Sequence, residues 1–97
     1  PGEYVPETLV MGLKALADPT RLRILYYLNQ GATTPSSLAR RLRLRAPTVI
    51  HHLNTMRLAG LVYVTLTSNG ERRYSLRHEA IEDTCRQLNT VMNPEKK

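Results

Sequence analysis

The sequence predicts a mainly helical α+β chain with one small β-hairpin, in the order α-α-α-α-β-β-α, on three observations. Four runs carry apolar residues at helical spacing, each opened by a proline or a capping residue next to one. Strict alternation on the approach to Asn69-Gly70 then changes the period to that of a hairpin. A last run, Glu79 to Met92, returns to helical spacing.

Each element follows from its residues. Pro6-Glu7 suits a first helical turn, and Leu9, Leu13 and Leu16 mark an apolar stripe over about residues 6–17. Asp18-Pro19 restarts the helix with a cap and a proline, and Leu22, Leu25 and Leu28 carry it to about Gln30, before Gly31. Thr34-Pro35 repeats that start for a short helix on Leu38 and Leu42. Arg43-Leu44-Arg45-Ala46 is a turn. Pro47 opens a longer helix to about Ala59, with Val49, Leu53 and Met56 on its buried side. Val62, Val64 and Leu66 alternate with Tyr63, Thr65 and Thr67, Asn69-Gly70 signals a type I′ turn, and Arg72 to Leu76 is the returning strand. Ile81, Cys85, Leu88 and Met92 form one stripe of the last helix.

With 97 residues the chain fits one domain, 1–97. It has five Tyr and neither Trp nor Phe, so its core is aliphatic and, at this size, gains from a second copy. The one cysteine, Cys85, excludes an internal disulfide framework and suits a reducing cytoplasm. No apolar run approaches the ~20 residues of a membrane span, so no membrane partner is expected. The chain starts at Pro1 without an initiator methionine, which reads as a processed product or a piece of a longer regulator. The polar tail Glu95–Lys97 is expected to fray.

The net charge of +6 points to a polyanionic partner, and its distribution is more telling. Between Pro19 and Gly70 there is no Asp or Glu, while Arg21, Arg23, Arg40, Arg41, Arg43, Arg45 and Arg57 fall there. A short helix, a turn and a longer helix over about 35–59, followed by a hairpin over about 62–76, is a winged helix-turn-helix. In that arrangement the second helix enters the major groove of duplex DNA by its N-terminal turns. Thr48, His51 and Thr55 project opposite its buried side, with Asn54 and His52 on the flanks. Arg43 and Arg45 in the turn, and Arg72 and Arg73 on the hairpin, are candidate phosphate contacts, and Thr34 opens a helix whose free N–H groups suit a phosphate.

Catalysis has little support: no phosphate-binding glycine loop, nucleophile elbow or metalloprotease motif is present, and the acid-free middle lacks a carboxylate for acid–base work. Cys85 with His78 and Glu82 is the one loosely metal-like group. Cys85 stands in an apolar stripe, so a buried core thiol is expected, with no metal site and no cofactor.

The runs LKALADPTRLRILYYL, SSLARRL, APTVIHHLNTMRLAGLV and NGERRYSL together resemble the ArsR/SmtB group of winged-helix repressors, over roughly residues 9 to 92. The resemblance implies operator binding through the helix at Pro47, a wing at Thr65–Tyr74, and a homodimer held by the helices at about 6–17 and 79–92. The dimer candidates are Leu9, Leu13, Ile81, Cys85, Leu88 and Met92. Two departures stand out. Where the family often carries a capping serine this chain has Arg45, and neither of the family's metal-ligand clusters is present, near Ser36-Ser37 or on the last helix. The expectation is a dimeric DNA-binding repressor, with the inducing signal and any small-molecule effector left unassigned. The alternatives are a winged-helix dimerisation or docking module, and the DNA-reading end of a longer regulator with a separate sensor domain.

Overall fold

In a computed structural model, residues 3–94 are described. The expected tail Glu95–Lys97 lies outside them. The elements are α1 (Glu7–Leu16), α2 (Pro19–Leu28), α3 (Pro35–Leu42), α4 (Ala46–Leu58), β1 (Val62–Leu66), β2 (Arg72–Leu76) and α5 (His78–Met92). The order and the class are those expected, with ends moved by a residue or two. Two caps hold as read: the Asp18 carboxylate accepts from the Arg21 N–H at 3.0 Å, and the Thr34 hydroxyl from the Ser37 N–H at 3.2 Å. Arg45 stands at the start of α4 and makes no side-chain cap.

The core gathers α2, α3, α4 and the base of the hairpin. Ile24, Leu38, Val49, Leu53 and Met56 are all 0% exposed, and Leu61, Val62 and Tyr74 close the layer beneath them. Burying such side chains stabilises by roughly 1.5–3 kcal/mol each. The inward side of α4 is the one expected.

Three stripes differ from expectation. In α2, Leu22 is exposed, and Ile24 and Leu28 are buried. Leucines spaced by three drift about 60° per step around a helix of 3.6 residues per turn, so Leu22 and Leu28 cannot share a face. In α1, Leu9 is buried within the protomer at 2%, which removes it from the candidate dimer surface. Its companions inside are Gly12 and Ala15, while Leu13 turns outward. In α5 only Thr84 is buried, and Cys85, expected as a core thiol, is exposed. The reason is close helix packing: a Cβ on Gly12 would lie 2.7 Å from the Thr84 Oγ1, so α1 and α5 meet closely where Gly12 faces Thr84. Of the larger apolar side chains of α5, Leu88, Val91 and Met92 are left exposed, whereas Ile81, a dimer candidate, is half-buried against the core.

The hairpin pairs Val62 with Leu76 and Val64 with Tyr74. Its base is buried and its outer half, Val64 and Leu66, is exposed. The connection is not a two-residue type I′ turn. Gly70 alone has positive φ, at 80°, and Ser68-Asn69-Gly70 bridge the Thr67 N–H to Glu71 carbonyl bond of 2.8 Å. A three-residue loop ending in a left-handed glycine suits the strand twist equally well. At its base the hairpin is tied to the α2–α3 connection by Thr33 and Tyr74, which exchange backbone bonds of 3.1 and 2.7 Å.

Candidate nucleic-acid interface

The turn between α3 and α4 sets the site. Arg43 closes α3 in the left-handed region, φ 59° and ψ 46°, and Leu44 N–H bonds the Ala39 carbonyl at 3.0 Å. A sharp reversal of this kind normally takes glycine. It puts the first turn of α4 immediately beside the exposed arginines of the connection. With Val49, Leu53 and Met56 locked inward, Thr48, His51 and Asn54 are left exposed on the opposite side.

Not every candidate stays on that surface. The Thr55 hydroxyl donates to the His51 carbonyl at 3.2 Å, and Thr55 is half-buried beside Met11 and Lys14 of α1. His52 is turned to α2: its side chain is 15% exposed and its Nδ1 lies 3.1 Å from Arg21 Nη1 and 4.0 Å from Asp18 Oδ2. Arg73, expected on phosphate, donates to the Ala32 carbonyl at 3.0 Å and so braces the hairpin base. Thr34 spends its hydroxyl oxygen as the α3 cap. The backbone N–H of Arg21 holds the Asp18 carboxyl below the usual aspartate range; burial opposes it, and the charge of that arginine adds a smaller lowering.

Arg43, Arg45 and Arg72 are exposed, as are Arg40 and Arg57. Among the described residues none of these five pairs with a carboxylate. Arg41 lies over the Tyr27 ring, its guanidinium carbon 5.3 Å from the ring centre. A cleft of about 310 Å³ between α4 and the hairpin brings Asn54, Arg57 and Arg72 together over Val64, Leu66 and Tyr74. Arg57 was not singled out by its sequence position; its signal is the spacing of three from Asn54, which stacks the two on one side of α4. The arrangement offers hydrogen-bonding groups on a helix face, flanked by unpaired cations, and no group placed for bond chemistry.

A model of the arsR family of bacterial regulatory proteins matches residues 18–64, the stretch from the α2 cap into the hairpin. The chain is 32% identical over 80 residues to the arsenical resistance operon repressor of Staphylococcus xylosus, covering 81% of this chain and 75% of that protein. It belongs to the arsR family. The resemblance carried by the runs around Asp18-Pro19 and Pro47-Thr48 is thereby borne out. A further arsR-type relative, the HTH-type transcriptional regulator CmtR of Mycobacterium tuberculosis, is 44% identical over 63 residues, or 65% of this chain. The match spans 52% of that relative, so the chain covers about half its length. Among solved structures, an ArsR-like transcriptional regulator from Rhodococcus sp. RHA1 superposes with a TM-score of 0.80 at 32% identity, covering 87% of this chain and 78% of that one. The arsR fold is a winged helix, and the family is one of transcriptional regulators rather than enzymes.

Proposed function

We propose that the chain is a dimeric, cytoplasmic repressor that binds duplex DNA, with α4 in the major groove and the hairpin along the neighbouring backbone. The observation that carries this is the α4 surface: Thr48, His51 and Asn54 exposed on a helix whose other side is fully buried, with unpaired Arg43, Arg45, Arg57 and Arg72 at its margins. The names of the relatives support repression. In this reading Thr48 and His51 meet base edges, and the four arginines meet phosphates. Two copies would engage half-sites ~34 Å apart on one face of the duplex.

The test is titration of a duplex selected from a random pool against a random duplex, over a range of salt. Alanine at Arg45 or Arg72 is expected to weaken both, and to lower the salt slope by about 1 per lost contact. Alanine at Thr48 or His51 is expected to cost about 1–3 kcal/mol on the selected duplex and little on the random one. An unchanged ratio for both substitutions rejects α4 as the reading helix, and salt-independent or absent binding favours the docking-module reading.

The effector is not read as a metal ion. Among the described residues no three His, Cys, Asp or Glu side chains come together, and the one thiol stands alone on α5. A closed zinc site needs four ligands. Zinc and arsenite titrations of the reduced protein are expected to leave DNA affinity unchanged; stoichiometric tight binding lost in Cys85→Ser would reverse this.

A further inference from the structure

Arg21 occupies the corner where α1 meets α2. Pro19 has no N–H, so the Ala15 carbonyl four residues earlier lacks its helical donor. The Asp18 N–H, the regular donor to Lys14, bonds the Leu16 carbonyl instead, at 2.8 Å. Arg21 repairs both: its Nε donates to the Ala15 carbonyl and its Nη2 to that of Lys14 at 3.4 Å. The same residue's backbone N–H bonds the Asp18 cap. Its remaining terminal nitrogen, Nη1, reaches across to α4 and meets His52 Nδ1 at 3.1 Å.

A guanidinium can only donate. His52 Nδ1 must therefore present its lone pair, with the ring proton on Nε2. One side chain thus fastens the end of α1, the start of α2 and the second turn of α4 at a single point. His52 is adjacent in sequence to His51 on the exposed face, so the fastening lies directly behind the residues assigned to base contact.

We infer that Arg21 and His52 are a positioning pair: they set the orientation of α4 against the α1–α2 corner, and His52 acts on DNA recognition through Arg21 rather than by touching DNA. The inference rests on α4 being the reading helix. A hydrogen bond to a charged partner, lost behind a reading face, reports as lost selectivity. A phosphate contact reports as lost affinity for every sequence.

The experiment compares His52→Ala, His52→Asn and Arg21→Lys in the full chain, each checked by thermal melting, on the selected and random duplexes. Asn keeps an acceptor close to the Nδ1 position. His52→Ala is expected to lower the selected-to-random affinity ratio about tenfold with the salt slope unchanged, and His52→Asn to restore most of it. A uniform loss on both duplexes with a slope lower by about 1 would make His52 a phosphate contact and overturn the proposal, as would an unchanged ratio in His52→Ala. A second readout is independent of DNA. Imidazole 15N spectra of the wild type are expected to show His52 in the Nε2-protonated tautomer, and Arg21→Lys to lose that preference; the same mixture of tautomers in both proteins would overturn the pairing. Thr48→Ala and His51→Ala serve as controls. If they leave the ratio intact, the reading-helix proposal fails, while the 15N result still decides the joint.

Discussion

Arg43 holds two roles that pull against each other. As the last residue of the α3 turn it sits at φ 59°, where a side chain with a Cβ is disfavoured by about 1–2 kcal/mol. As an exposed cation at the edge of α4 it is assigned to phosphate. Arg43→Gly separates the roles: it is expected to raise stability by about 1 kcal/mol in thermal or denaturant unfolding while weakening DNA binding at every sequence. A destabilised variant would mean that the arginine stem contributes packing that outweighs the backbone strain. Turn residues of this kind are hard to read from sequence, because Arg-Leu-Arg carries none of the glycine or asparagine that marks a left-handed residue.

At the scale of elements, what was legible depended on the size of the buried residues. The stripe Val49, Leu53, Met56 was readable because large side chains sit at i, i+4 and i+7 on a helix packed on four neighbours, α1, α2, α3 and β1. The caps at Asp18 and Thr34 were readable because each precedes a proline. The α1–α5 packing was not: it closes where Gly12 meets Thr84, and of the leucine stripe Leu9, Leu13, Leu16 read for α1, Leu13 turns outward. His52 and Arg73 were misplaced for a related reason, since sequence spacing gives direction around one helix or strand and says nothing of a carbonyl or cation waiting on another. The α1–α5 contact makes a sharp prediction. Gly12→Ala gains about 1 kcal/mol of helix propensity but drives a methyl into the stiff, buried Thr84 side chain, an overpacking of about 1–3 kcal/mol, so the variant is expected to be less stable. In a Thr84→Ala background the sign is expected to reverse. Equal effects in both backgrounds, read by denaturant midpoints, would mean that the helices part without resistance.

At the scale of the molecule, α1 and α5 present apolar side chains that this chain does not cover: Leu13 at 38%, Leu88 at 42% and Met92 at 71% exposed. A second copy related by a two-fold axis would bury the same surface twice and explain why so small a core, aliphatic but for Tyr74, suffices. Sedimentation at micromolar concentration is expected to give a dimer, and Leu88→Glu a folded monomer with weakened DNA binding; a wild-type monomer would reject the arrangement. The hairpin bears on how such a molecule can change over generations. The Thr33–Tyr74 bridge and the Arg73 bond to the Ala32 carbonyl pin its base to the connection before α3, whereas Ser68, Asn69 and Gly70 are exposed. Residues added at that tip alter reach and nothing else, so length there is free to drift and to be selected. An added residue between Ala32 and Thr34 would shift the bridge and tilt hairpin and α3 together, so the short connection, rather than the conspicuous hairpin, is where insertions should be purged.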